Sequence, residues 1–139
     1  MPDYLVDTGP IVARFDADDK WHAWSVGAID CLGHPLFTTE MVVAEVCYFL
    51  RKYMGEHALK EFWERIENGD LQICAMLPDA APRMKALMEK YSQMDVADAS
   101  LVALSEWYPR ARLITIDRKD FTIYRRSDGN PVACIMPAQ

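Results

Sequence analysis

The sequence predicts an α/β fold in which a mostly parallel sheet is covered by helices on both faces, a three-layer α/β/α arrangement. Short apolar runs alternate with longer segments of helical character along the whole chain. Two of those runs, the ones that open at Tyr4 and at Arg112, end in an aspartate. The stretch Met94-Asp95-Val96-Ala97-Asp98-Ala99-Ser100-Leu101-Val102-Ala103-Leu104-Ser105-Glu106 opens on two acids and is otherwise apolar and alanine-rich, the composition of a buried helix.

Residues 4–6 read as a buried strand that stops at Asp7-Thr8-Gly9-Pro10 and turns into a helix over 11–15. The polar turn 16–19 can cap a helix over 20–32, with Trp21, Trp24 and Ile29 as packing residues. A second strand over 35–39 leads into a helix over 40–53, broken at Gly55. Residues 57–67 form an amphipathic helix with Leu59, Phe62, Trp63 and Ile66 as its apolar stripe, and Asn68-Gly69 ends it as a C-cap. A third strand over 71–74 precedes a helix over 79–91, with Pro82 in its first turn and Met84, Leu87 and Met88 facing in. The helix over 95–107 is stopped by Tyr108-Pro109. The fourth strand, 112–117, is followed by a turn at 118–121, a short extension at 122–124, a loop at 127–131 and a terminal strand at 132–136. No linker, repeat or low-complexity segment interrupts the chain, so residues 1–139 are expected to form a single domain.

A hydrophobic fraction of 51% beside 26% charged residues supplies a core without disulfides and excludes a disordered chain. The net charge of -6 excludes nucleic-acid binding through bulk positive charge, so any such binding must use local basic groups or bridging cations. Cys31, Cys47, Cys74 and Cys134 form no C-x-x-C pair, and His22, His34 and His57 lack the spacing of a histidine metal motif. Any metal should therefore be a hard cation held by oxygen. The N-terminal stretch lacks a basic and apolar leader and no run approaches membrane-spanning length, so a cytoplasmic location without a membrane partner is the expectation.

In an open parallel sheet the carboxyl ends of the strands share one edge, where sites are built, and Asp7 and Asp117 fall on that edge. Glu45 is the one acid in the apolar middle of the helix over 40–53. A carboxylate there needs a cation, a basic partner such as Arg51, or an outlet to a cleft. Asp95 and Asp98, three positions apart, share one side of the first turn of their helix, where the macrodipole favours negative charge. Capping alone explains Asp7, Asp95 and Asp98. Convergence of Asp7, Glu45, Asp98 and Asp117 on one cleft explains all four, provided that divalent cations, best Mg²⁺ or Mn²⁺, neutralise their repulsion. Such a centre suits hydrolysis of a phosphodiester. Arg118, Lys119, Arg125 and Arg126 follow the fourth strand as phosphate contacts or as a solvated turn.

Leu5-Val6-Asp7-Thr8, the Glu45 helix, Asp98-Ala99-Ser100-Leu101-Val102-Ala103 and Leu113-Ile114-Thr115-Ile116-Asp117 with Phe121 together resemble the acidic signature of PIN-domain ribonucleases, particularly toxins of the VapC type. The resemblance runs in order over essentially the whole chain. It implies Asp7, Glu45, Asp98 and Asp117 as catalytic, metal-binding acids, with Thr8 and Thr115 as polar neighbours. Asp98 rather than Asp95 takes the family position because an alanine follows it, which leaves Asp95 as the helix cap or an outer acid. The resemblance further implies a homodimer that cleaves RNA, such as tRNA or rRNA, with Mg²⁺ or Mn²⁺, and a small antitoxin partner that silences it.

Two other readings compete. A receiver domain is also acidic and α/β, but it expects paired acids after the first strand, an aspartate after the third and a lysine after the last. Here Asp7 is followed by Thr8, the third strand leads into Ala75-Met76, and no lysine lies beyond Lys119. A PIN-like module that binds RNA or protein without turnover would show cation-dependent binding and lose no biological activity on Asp7→Asn.

Overall fold

The computed structural model describes residues 2–32 and 35–138, so Met1 and His34 lie outside the described residues. Five strands, β1 (Tyr4–Val6), β2 (Leu36–Thr39), β3 (Leu71–Cys74), β4 (Arg112–Ile114) and β5 (Cys134–Ile135), pair in the order β3-β2-β1-β4-β5. Every pair is parallel, so the sheet expected to be mostly parallel is wholly so among the described residues. Its connections carry α1 (Thr8–Phe15), α2 (His22–Asp30), α3 (Glu40–Tyr53), α4 (Glu56–Glu67), α5 (Ala81–Lys90), α6 (Val96–Trp107) and α7 (Arg118–Phe121). The three-layer α/β/α arrangement stands.

The centre of the sheet is apolar because it is covered on both faces: Leu5, Val6, Leu113 and Ile114 are fully buried. The edge strand β3 differs, with Gln72 and Ile73 exposed. Helix α6 is the buried helix its composition announced, its interior run of Ala99, Leu101, Val102, Ala103 and Leu104 almost wholly inaccessible. Its two serines are satisfied within the helix, Ser100 donating to the Ala97 carbonyl and Ser105 to that of Val102, each at 2.7 Å. In α3 the stripe Val42, Val46 and Leu50 is fully buried at i, i+4 spacing, which fixes the rotation of the helix about its axis.

Several expectations need correction. α2 runs from His22 to Asp30, shorter than 20–32, and only Ser25 on it is buried; Trp24 and Ile29 pack at the core margin while Lys20 lies over the Trp21 ring at 4.7 Å. Trp63 and Met88 are exposed because the inward stripes of α4 and α5 are narrow. Ala58 with Phe62, and Met84 with Leu87, fill them, and the next residue is rotated about 100° away. β4 stops at Ile114 and the turn after it is a helix, α7, capped by Asp117. Residues 122–124 form no strand; Tyr124 turns into the core and Arg125 makes one isolated antiparallel bridge to Pro131. β5 is confined to Cys134 and Ile135.

The order of strands reverses between β1 and β4, and open α/β sheets bind their ligands in the crevice outside the carboxyl ends of such a pair. Gly9, just after β1, packs against the segment after β4: a Cβ there would lie 2.8 Å from Ile116 Cγ1, so a side chain would force Ile116 or the start of α1 to shift.

Candidate active site

A cleft of about 490 Å³ opens at this carboxyl edge, walled by the starts of α1 and α6, one face of α3 and the segment from Ile116 to Asp120. Asp7, Glu45, Asp98 and Asp117 all line it. Asp16, Asp19, Asp95 and Asp120 join them, and among the described residues the lining contains no Lys, Arg or His. Within it, carboxylate oxygens of Asp98, Asp117 and Asp120 lie within 4.8 Å of one another. Asp7 and Glu45 face the same cleft outside this tight triad. In the sequence Asp120 falls in the segment that reads as a turn. Its i, i+3 relation to Asp117, the same as that of Asp98 to Asp95, was the available signal.

Each acid is placed by a short chain of contacts. Asp7 ends β1 and caps α1, its Oδ1 accepting from the Thr8 amide at 2.8 Å, while its Oδ2 accepts from the Thr115 hydroxyl at 2.7 Å. Thr115 Oγ1 in turn accepts from the Asp117 amide at 3.0 Å, so one buried hydroxyl ties two acids of adjacent strands together. Asp117 caps α7 by accepting from the Asp120 amide at 3.0 Å. Asp95 caps α6 by accepting from the Asp98 amide at 2.8 Å. Capping and convergence are therefore not alternatives here: the caps hold Asp7 and Asp117, and orient the turn that carries Asp98.

Asp98 has a partner that sequence reading missed. The Tyr124 hydroxyl donates to Asp98 Oδ2 at 2.7 Å. The Tyr124 ring is fully buried and braced edge-on by Tyr91 and Phe121, at centroid distances of 5.1 and 5.3 Å. Glu45 has no cationic partner among the described residues, since Arg51 pairs with Glu56 at 3.4 Å. A buried link sets α3 and α6 relative to each other: the Thr39 and Ser100 hydroxyls lie 2.7 Å apart, and Thr39 Oγ1 also accepts from the Val42 amide to cap α3.

Burial and mutual repulsion dominate the electrostatics. Asp7 is pushed up to about 6, chiefly by burial, with the Thr115 and Thr8 bonds opposing and the Glu45 and Asp117 charges adding. Asp98 is pushed up to about 8, again chiefly by burial, with the Tyr124 bond opposing and Asp95, Asp7 and Asp117 adding. Burial also raises Glu45. The Thr8 hydroxyl, buried and without a hydrogen bond of full geometry, lies near enough to oppose that shift. The Tyr124 phenol is driven far above its ordinary value by burial and by its bond to Asp98, so it stays a donor.

Carboxylates in this condition attract any added positive charge, and the donors on offer are hard oxygens with no thiol or imidazole among the lining residues. The site therefore fits a hard divalent cation. Of the four basic residues expected near phosphate, three are committed elsewhere: Arg118 donates to the Pro137 carbonyl, Arg125 to the carbonyls of its own loop, and the buried Arg126 to Pro109. Lys119 alone is exposed. A second cleft, about 550 Å³, lies beside Phe15, Ile29 and Phe62. Its charges are spent in the Arg14–Asp30 and Arg65–Asp70 pairs at 2.9 and 3.1 Å, and it gathers no cluster of unpaired acids.

Fold and cleft together define a parallel α/β protein with an acidic, oxygen-lined site at the switch point of its sheet. Residues 4–126 match the PIN domain family, and the chain belongs to it. The chain is 26% identical over 127 residues, 90% of its length and 94% of the relative's, to ribonuclease VapC26 of Mycobacterium tuberculosis. Its fold is similar to that of Mycobacterium tuberculosis VapC20, a sarcin-ricin loop cleaving toxin, with a TM-score of 0.71 and 15% identity over 79% of this chain and 86% of that one. It is also similar to a toxin-antitoxin complex from Klebsiella pneumoniae, with a TM-score of 0.66 and 23% identity over 85% and 89% of the two chains. For VapBC2 of Rickettsia felis, bound to a promoter DNA fragment, the TM-score is 0.67 and the identity 14% over 97% and 98%. The resemblance read in the acidic motifs is thus to the right family.

Proposed function

We propose that this chain is a metal-dependent endoribonuclease of the VapC type, the toxin of a toxin-antitoxin pair, acting on RNA such as tRNA or rRNA. The observation that carries this reading is the convergence of Asp7, Glu45, Asp98 and Asp117 on one cleft without a basic residue in its lining. These four acids would hold Mg²⁺ or Mn²⁺, with Thr8, Asp95 and Thr115 in support; Asp120, within reach of Asp98 and Asp117, belongs with them. A cation bound there would neutralise the cluster and supply the polarisation that phosphodiester hydrolysis needs. The chain's own residues orient its ligands: Thr115 and the Thr8 amide turn Asp7, and Tyr124 holds Asp98. A cytoplasmic, single-domain protein over residues 1–139, a homodimer and a small antitoxin partner belong to the same reading. Toxin-antitoxin complexes among its structural relatives support the partner, and no described helix is long and apolar enough to cross a membrane.

The test is cleavage of a mixed tRNA and rRNA pool with Mg²⁺, with Mn²⁺ and with chelator, beside Asp7→Asn. Discrete metal-dependent products, absent with Asp7→Asn, are expected. Cation-dependent RNA binding without products under any condition would replace the nuclease by a PIN-like binding module.

Tyr124→Phe keeps the buried ring and removes the hydroxyl that Asp98 accepts from. Metal ligands that lose such a partner typically lose about ten- to a hundred-fold in metal affinity. The Mg²⁺ concentration for half-maximal cleavage, and the dissociation constant by calorimetry, should rise by that factor while the folded structure is retained.

A further inference from the structure

We propose that the aromatic stripe of α3 is a stacking platform for an unpaired base of the RNA, with Tyr53 as its outer ring. The proposal rests on the nuclease reading for the identity of the ligand, and it names what that reading leaves open, the strand state of the substrate.

Glu45, Phe49 and Tyr53 are spaced four residues apart on α3, so they form one row that leads from the acid cluster outward along the helix, about 12 Å from first to last. All three line the cleft. The Phe49 and Tyr53 rings are nearly parallel, at 18° and 6.2 Å between centroids, an offset stack that leaves part of each face uncovered. Tyr53 is 64% exposed, which is more than a packing role requires of an aromatic ring. The cleft otherwise repels a polyanion, since eight acids line it and no basic side chain does. Apart from what a bound cation would offer the scissile phosphate, side chains of the described lining must hold a substrate strand through something other than phosphate contacts. Every base has an aromatic face, and rings at a cleft wall bind single strands through it.

The nearest cation strengthens the assignment. Lys52 Nζ lies 5.2 Å from the Tyr53 centroid, 5.5 Å from that of Tyr48 and 3.3 Å from the Tyr48 hydroxyl. It sits outside the acid cluster and over the Tyr53 ring, so a base entering on that face displaces it toward the phosphate of the same nucleotide. A base enclosed in a duplex cannot present its face to Tyr53, so the platform selects an unpaired nucleotide next to the bond that is cut.

The experiment follows cleavage kinetics and the quenching of 2-aminopurine in a short unpaired oligoribonucleotide, read before the first turnover in Mg²⁺. It compares the wild-type chain with Tyr53→Ala and Tyr53→Phe, and the unpaired probe with its duplex. Tyr53→Ala is expected to abolish the quenching and raise KM roughly five- to fifty-fold with kcat within about two-fold, because base stacking contributes to uniform binding. Tyr53→Phe restores both, and the duplex gives neither quenching nor efficient cleavage. Cleavage with KM and quenching unchanged in Tyr53→Ala would overturn the platform and leave the nuclease standing. Quenching through Tyr53 without any product would keep the platform and overturn the nuclease. A Tyr53→Ala variant that changes the oligomeric state by gel filtration while KM stays unchanged would assign the ring to contact between copies and also overturn the proposal.

Discussion

Asp98→Asn should abolish metal-dependent RNA cleavage while leaving the metal-free protein as stable as the wild type or more so. The loss follows from the triad in which carboxylates of Asp98, Asp117 and Asp120 approach within 4.8 Å: an amide in place of one of them would remove a negative ligand from the proposed cation site. Charge stabilisation by a bound metal is worth several kcal/mol in the transition state, so kcat/KM should fall about a thousand-fold or more. The gain in stability has the opposite origin. Burial and the charges of Asp95, Asp7 and Asp117 hold Asp98 at about 8, so in its absence at neutral pH the native state is relieved of an unfavourable proton equilibrium. An asparagine still accepts the Tyr124 hydroxyl. Cleavage assays and thermal unfolding in chelator decide the matter. Asp95→Ala is the contrast: it removes the cap of α6 and should cost about 0.5–2 kcal/mol of stability. Full cleavage by Asp98→Asn would show that the wrong acid of the pair had been assigned to the metal.

The second large effect is a stability profile inclined opposite to that of most proteins. Asp7 at about 6 and Asp98 at about 8 both lie above the ordinary aspartate value. Between about pH 4 and pH 8 the native state therefore retains protons that the unfolded chain has released, and stability falls as pH rises. Each group contributes at most about 1.4 kcal/mol per pH unit, with both acting below about pH 6 and Asp98 alone above it. In chelator the melting temperature should decline from pH 5 to pH 8. Saturating Mg²⁺ should flatten that decline, because a cation bound only by the native state adds stability and displaces the retained protons. A melting temperature in chelator that rises over the same range would refute the arrangement of raised acids.

Much of this protein was legible residue by residue. Helix α3 begins and ends where its apolar periodicity does, and β3 covers the four residues its sequence marks, because period and turn chemistry are local properties. Glu45 stands out as the one acid in the apolar middle of its helix for the same reason. Trp63 and Met88 fall on the apolar stripes of their helices yet are exposed, because hydrophobicity shows only that a residue could be buried. Whether it is depends on how wide a stripe the neighbouring layer covers. Residues 118–121 read as a turn in the sequence because a helix of four residues has too few positions to show a period.

The sequence by itself determined the α/β class, the succession of strands and helices, and the acids that end β1 and follow β4, since all of these follow from short-range pattern. Only the tertiary structure decided how the site is held. Thr115 reaches Asp7 across 108 positions, Ser100 reaches Thr39 across 61, and Tyr124 reaches Asp98 across 26. In sequence, Tyr124 is one more aromatic and Asp120 one more surface acid. Their roles arise from desolvation and from neighbours that folding alone brings near, and those are properties of the packed chain, with no counterpart in any single stretch of it.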